Sequence, residues 1–508
     1  MIVKVISSAI IGIDSCPVDV EVDVSRGLPQ FSTVGLPDTS VKESKDRIKS
    51  AIKNSCYKFP GNRVTINLAP ADIKKEGTGF DLPIAVGILS AQGLIAKERL
   101  AEYMFTGELS LDGSVKGIHG ALPAGIQAAK MGLKGIVLPR ENAGEAAMVE
   151  GLDVIAIDYL HDVVEFFSGT KEFPPVVAKI SELFARNLHY PFDFSEVNGQ
   201  NQAKRAMEVA ASGGHNILMI GPPGSGKTML AQRLLTILPD LSLEEAIETT
   251  KIHSVAGLLS KKDSLLTIRP FRAPHHSISD AGLVGGGRIP KPGEISLADN
   301  GVLFLDELPE FKRNVLEVLR QPLESGFITV SRASASATYP ARFMLVAAMN
   351  PCPCGYFTDS RRQCTCTPRQ IRQYRARISG PLLDRIDIHI EVPSIRYKDL
   401  SKESGGEISE TIKKRVNRAR DIQKDRLKSY ILCNARMSNR QIKEHCVLDG
   451  DSRKLIEMAV DRLGLSARAY TKILKVARTI ADLEDERGIR PSHISEAIQY
   501  RTLDREVI

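Results

Sequence analysis

No run of about 18 uncharged apolar residues occurs anywhere in the 508-residue chain, which excludes a helix that spans a bilayer, and no membrane partner is expected. An internal repeat is lacking, which argues against a solenoid or propeller, and so is a long low-complexity tract. A dominant charge sign is missing as well. The 68 Lys and Arg against 61 Asp and Glu leave +7, too little on a chain of this length to argue for nucleic acid by itself. The apolar start meets Gly12 and Asp14 early and has no small-residue cleavage pattern, so a signal peptide is not expected and a cytoplasmic location is. Disulfides are not expected there either. Four of the eight cysteines crowd into Cys352-Pro-Cys354 and Cys364-Thr-Cys366, a pairing that favours metal over disulfides in a reducing compartment.

With 43% hydrophobic and 25% charged residues, the composition is that of a globular protein long enough for about three domains. Residues 1–168 alternate β-rich runs such as Val18–Val24 and Arg63–Leu68 with helical patterns such as Thr39–Asn54, and are expected to form an independent domain. Residues 169–190, opening on Gly169-Thr-Lys-Glu-Phe-Pro-Pro175, are expected to be a linker. Strand and helix alternate over 191–395, as a parallel α/β sheet demands, and 396–508 is helical and polar.

The strongest chemistry lies at Gly221, Pro222, Pro223, Gly224, Ser225, Gly226, Lys227 and Thr228, which fit G-x-x-x-x-G-K-[ST] behind the apolar run Asn216–Ile220. Such a loop curls its N–H groups onto phosphate oxygens, its lysine reaches the β/γ-phosphates and its threonine ligates Mg²⁺. ATP and Mg²⁺ are therefore the expected cofactors. A second strand, Val302–Leu305, delivers Asp306 to the metal and Glu307 to the attacking water. A third, Phe343–Met349, ends at Asn350, suited to contact the γ-phosphate or the water, although asparagine after a strand is also an ordinary turn former.

Together these strand ends resemble the AAA+ ATPases over about 191–508, with Asn350 in the sensor 1 position. The resemblance implies that Arg385, in Pro381-Leu-Leu-Asp-Arg-Ile-Asp387, is an arginine finger acting on the neighbouring subunit of a ring, most simply a homo-hexamer, and that Arg468 is the sensor 2 arginine. On spacing alone, surface ion pairs account for both equally well. The long segment between Thr228 and Asp306, with His275, His276 and Gly285–Gly293, and the hairpin-like Gly326–Tyr339 resemble the helix-2 insert and pre-sensor hairpin of the magnesium-chelatase and MCM-type ATPases. His275 and His276 are read as loop or pore contacts, because adjacent histidines diverge and no third metal ligand is evident.

Arg332 at the hairpin tip suits a phosphate-backbone contact or a solvated tip. Arg361, Arg362, Arg369, Arg372, Arg375 and Arg377, interleaved with Tyr374 and free of acids, form the densest basic cluster, which suits nucleic acid or a solvated surface. Cys352, Cys354, Cys364 and Cys366 suit tetrahedral Zn²⁺ stapling a short loop; reduced thiols or a redox pair are the alternatives. The whole run, with Asn350–Gly355 and Ser379–Asp387, resembles the YifB/ComM family of magnesium-chelatase-like ATPases.

Thr106–Gly120 and Ala128–Pro139 resemble the Lon-type protease domain, which raises peptidase activity as a rival. The segment matching its nucleophile is Lys75–Asp81, with Gly79 at the serine position, and its lysine base falls near Leu122; neither residue does that chemistry, and Thr78 and Lys116 are out of register. Lys74, Lys75 and Arg63 are candidates to meet DNA or a partner, or simply solvating. The expected fold is thus α/β multidomain: a Lon-protease-like α+β domain without the catalytic dyad, a P-loop AAA+ α/β core, and a C-terminal helical lid. The expected function is a DNA-dependent ATPase motor; the family resemblance implies helicase or branch-migration work on single-stranded or branched DNA, with recombination or DNA-uptake proteins as partners. A chelatase-type motor that remodels a metal-insertion or other protein is the alternative, and a protein-remodelling scaffold a third reading.

Overall fold

The computed structural model describes residues 2–186, 190–260, 263–287, 290–332, 335–357, 359, 361–394, 406–429 and 433–501, and for Arg186, Ala335 and Leu463 the backbone only. Arg288 and hairpin-tip residues 333–334 lie outside the described residues. The chain divides into two units, residues 1–187 with 242–267, and residues 188–241 with 268–508.

The first unit is built on a seven-stranded mixed sheet ordered Gln30–Val34, Arg63–Ala69, Asp14–Ser25, Ile2–Ile11, Tyr103–Phe105, Gly135–Pro139, Asp153–Ile157. The long hairpin of Ile2–Ile11 and Asp14–Ser25 alternates buried with more exposed positions, because one face carries the helix Asp81–Ala91. That helix is apolar all round and almost wholly buried. The stretch 242–267, inside the 191–395 span by chain order, belongs to this unit. Its helix Leu243–Ala256 starts on a Ser242/Glu245 capping box and is held by Ser254, which donates to the buried Glu145 carboxylate and accepts from the Gly120 N–H at 3.0 Å.

One expectation for this unit is corrected. Lys75 cannot meet DNA, because its side chain is fully buried and its ammonium donates to the Pro70 carbonyl. Gly79 leaves room for a Cβ only 3.1 Å from Thr106 Oγ1, Leu122 is buried with its N–H on Glu145 at 2.8 Å, and Thr78 donates its hydroxyl to Glu108.

The second unit holds a five-stranded parallel sheet ordered Phe271–Arg272, Val302–Leu305, Met344–Met349, Ile217–Ile220, Ile388–Glu391. Its three central strands are buried at every position, which is why each reads as an unbroken apolar run. The antiparallel hairpin Phe327–Arg332 with Ala335–Pro340 stands apart from the sheet, with Thr329 facing Thr338 and Ser331 facing Ser336 through their hydroxyls. Helices Ser409–Leu427, Asn439–His445, Gly450–Leu463, Ala467–Leu483 and Pro491–Gln499 follow, and their apolar faces join Asn201–Gly213 and the sheet in one core. A buried polar group ties them down: Asp387 meets His215 at 3.3 Å and Lys472. Burial would raise the Asp387 carboxyl, but the Lys472 ammonium and the hydrogen bond with His215 hold it well below the usual carboxylate range.

Candidate active site

Strand Ile217–Ile220 lies between Met344–Met349 and Ile388–Glu391, so its C-terminal end opens inside the sheet, and ligands of parallel α/β folds bind beyond the C-terminal ends of such strands. Gly221 turns there with no room for a side chain, since a Cβ would lie 2.2 Å from the Val392 carbonyl oxygen. Gly226, at φ +87°, aims the loop into helix Lys227–Ile237. The buried Lys227 ammonium folds back on the loop, donating to the carbonyls of Gly221 at 2.7 Å and Pro222 at 3.0 Å and to Asn350 Oδ1 at 3.3 Å. Burial lowers its pKa, and Asp306 and Glu307 counter that shift.

Thr228 donates its hydroxyl to Asp306 Oδ2 at 2.8 Å, and Asp306 Oδ1 accepts the Glu307 N–H at 2.9 Å. Lys227, Thr228, Asp306, Glu307 and Asn350 therefore converge from three adjacent strands onto one edge. Loop N–H groups, an ammonium, a hydroxyl and carboxylates form the donor set that suits Mg²⁺ and a nucleoside triphosphate.

Gln200 carried no sequence signal, and His276, read from the sequence as a loop or pore contact, takes part in a different way. Gln200 braces the loop from outside, donating to the Ser225 carbonyl at 2.8 Å and to that of Pro393 at 3.3 Å. His276 meets Glu307, Nδ1 to Oε2, at 3.2 Å.

Directly after Asn350 the four cysteines close a small loop. Sulfur separations are 3.3 Å for Cys352–Cys354, 3.6 Å for Cys352–Cys364 and 3.5 Å for Cys354–Cys364, and all four sulfurs lie within 4.8 Å of one another. A tetrahedral S₄ zinc site has sulfurs about 3.8 Å apart. Backbone N–H groups of Cys354, Phe357 and Cys366 point at Cys366, Cys352 and Cys364 sulfurs at 3.3, 3.3 and 3.4 Å, as around a thiolate cluster. The donor set fits zinc. The loop also packs against the glycine loop, since a Cβ on Gly355 would lie 2.6 Å from Pro223 Cδ.

The arginines separate into two kinds. Arg385 is buried, donating to Glu324 and, at 2.6 Å, to the Pro381 carbonyl, beside a cleft of about 600 Å³ that also includes Arg320 and Thr329. Arg468 is exposed, 3.6 Å from Asp384. Arg375 is half-buried over the Phe357 ring, and Arg377 pairs with Glu310 at 2.8 Å. Arg361, Arg369 and Arg372 face solvent, as does Arg362, which stacks 4.4 Å over Tyr356. Arg332 is exposed at the end of its hairpin strand.

Residues 193–400 match the family model for magnesium chelatase, subunit ChlI; residues 20–142 match that for subunit ChlI of Mg-chelatase, and 406–501 its C-terminal model. The chain is 46% identical over 506 residues to the competence protein ComM of Haemophilus influenzae, covering 99% of this chain and 97% of that one. It is 46% identical over 501 residues to the YifB protein of Escherichia coli, covering 98% and 97%. The chain belongs to the YifB/ComM magnesium-chelatase-like family. A more distant relative, the magnesium-chelatase 38 kDa subunit of Cereibacter sphaeroides, is 27% identical over 180 residues, 32% of this chain and 53% of that one. Among the described residues, no helix is long and apolar enough to cross a membrane.

Proposed function

We propose that this member of the family is an ATP-hydrolysing, ring-forming motor that acts on single-stranded or branched DNA. The observation that carries the reading is the convergence of Lys227, Thr228, Asp306, Glu307 and Asn350 on one sheet edge. In this reading the loop and Lys227 bind the triphosphate, and Thr228 and Asp306 hold Mg²⁺, which neutralises charge on the phosphates when bound. Glu307 takes the proton of the attacking water, and Asn350 positions that water or the γ-phosphate. Arg385 acts on the neighbouring subunit of a homo-hexamer once Glu324 releases it, and Arg468 acts as sensor 2.

DNA is favoured by the exposed arginines Arg332, Arg361, Arg362, Arg369 and Arg372, by the half-buried Arg375 beside them, and by the competence role in the name of one relative. Recombination or DNA-uptake proteins are the partners this reading expects. Residues 1–168 are read as a Lon-like platform without peptidase chemistry, 169–190 as a linker, 191–395 as the motor and 396–508 as its lid. The magnesium-chelatase relatives favour a second reading, a motor that remodels a metal-insertion or other protein partner.

ATP turnover measured with single-stranded, duplex and branched DNA at several salt concentrations separates the two. The DNA reading expects stimulation that falls steeply as salt rises. Absence of both DNA binding and stimulation at low salt overturns it.

The cysteine loop is proposed to hold one structural Zn²⁺. Metal analysis of the purified chain is expected to give one zinc per protomer, and Cys364→Ser to release it, with the loop beside Pro223 loosened and ATP binding weakened. Full zinc content in Cys364→Ser would refute the assignment.

A further inference from the structure

Glu307 is held in an unusual way. Its backbone is left-handed at φ +52°, a conformation that costs a non-glycine residue about 1 kcal/mol or more. A left-handed turn throws the side chain off the line of strand Val302–Leu305, so the carboxylate needs a partner to give it one direction. More than half of that side chain is solvent-accessible, so close packing does not fix it. The partner is His276.

Strand Phe271–Arg272 runs parallel to Val302–Leu305, pairing Phe271 with Val302 and Arg272 with Leu303. Both segments therefore leave the sheet at the same edge, and His276 and Glu307 arrive side by side. The approach is braced along its length. Phe271 stacks on Phe304 with ring centroids 5.8 Å apart, and Arg272 grips Glu294 through two hydrogen bonds of 2.6 Å. The His276 ring lies 4.0 Å from that of His275, whose Nδ1 is tied to Ser277 Oγ at 2.8 Å, and stands edge-on to Phe311 at 6.4 Å. An imidazole fixed on two sides is a rigid donor. A base oriented by a second group, itself oriented by a third, is the usual logic of an activated site.

We propose that His276 is the positioning residue for Glu307: its Nδ1–H donates to Oε2 and leaves Oε1 turned toward the water that attacks the terminal phosphate. The proposal rests on the ATP-hydrolysis reading. Oε1 takes one proton of the water as its oxygen bonds to phosphorus and the bond to the leaving diphosphate breaks; Oε2 stays bound to His276 throughout. The segment that carries His276 thereby gains a direct grip on water activation.

Two measurements test this. In the first, His276→Ala is expected to lower kcat about 10- to 100-fold, with KM and equilibrium binding of a fluorescent ATP analogue changed less than about 2-fold. His276→Asn, whose amide N–H takes the place of Nδ1–H, is expected to recover most of kcat. An unchanged or raised kcat in His276→Ala, or no recovery in a folded Asn variant, overturns the proposal.

The second does not use turnover. In the ¹⁵N-histidine spectrum of the full chain, with ten histidines, the resonance missing from His276→Asn identifies His276. Its Nδ1 is expected to carry a proton in the native chain and to lose it in Glu307→Ala, which removes the acceptor. An Nδ1 that is unprotonated in the native chain, or unaffected by Glu307→Ala, overturns the pair. A native chain that shows the pair but hydrolyses no ATP would instead refute the ATPase reading while the contact stands.

Discussion

Glu307→Gln is expected to bind ATP with near-native affinity and to turn it over about 10²- to 10⁴-fold more slowly, the range by which a positioned general base accelerates proton transfer. The reason is specific to how the two acids are used. Asp306 spends both carboxylate oxygens inside the site, one accepting from Thr228 and the other from the Glu307 N–H, so it cannot substitute as the base. An amide at 307 keeps the shape, and its NH₂ or carbonyl group can still meet His276, but it cannot take a proton at neutral pH. Nucleotide binding is measured directly with a fluorescent analogue and turnover by phosphate release. Retained turnover in Glu307→Gln would remove Glu307 from the chemistry.

Lys227→Ala is the second large effect, and it falls on binding. The ammonium is buried among the carbonyls of Gly221 and Pro222 and the side chain of Asn350, which makes it the central cation of the loop. Truncating a buried, hydrogen-bonded charge of this kind costs about 2–5 kcal/mol, which weakens ATP binding about 30-fold or more. Part of that loss is steric, because three groups that now face the ammonium would face a void. Lys227→Arg is expected not to restore binding, since a planar guanidinium does not reproduce the compact ammonium that donates to Gly221, Pro222 and Asn350 together. Equilibrium titration with nucleotide checks both variants; native affinity in Lys227→Ala would contradict the site.

The two variants also separate the roles within one site. Loss of binding in one and loss of turnover in the other is the pattern expected when one residue acts on ground and transition states alike and the other in the transition state alone.

Much of this site is legible in the sequence because its parts are local. The glycine loop is one continuous backbone turn, with glycines where the chain has no space or needs a positive φ, so residues 221–228 announce it in the sequence. Asp306, Glu307 and Asn350 are legible because each ends a strand buried on both faces, and such strands leave unbroken apolar runs that mark where the polar edge begins. The cysteine cluster is legible for a similar reason: the paired cysteines are separated by a stretch short enough to close on itself.

Only the tertiary structure decided the rest, because those contacts depend on which strands become neighbours. His276 and Glu307 are 31 residues apart in the chain. They meet because Phe271–Arg272 adds to the edge of the sheet beside Val302–Leu305, a pairing that two short residues of strand do not announce. Gln200 reaches Ser225 from the loop before its helix, and Ser254 from within the motor's stretch of sequence joins the first unit at Glu145. Lys75 makes the point in reverse. Lysine composition says surface, whereas burial against Pro70 takes it out of solvent. Patterns of one or two neighbouring residues fixed the chemistry available to this chain, and the order of strands in the sheet fixed which of those groups act on one another.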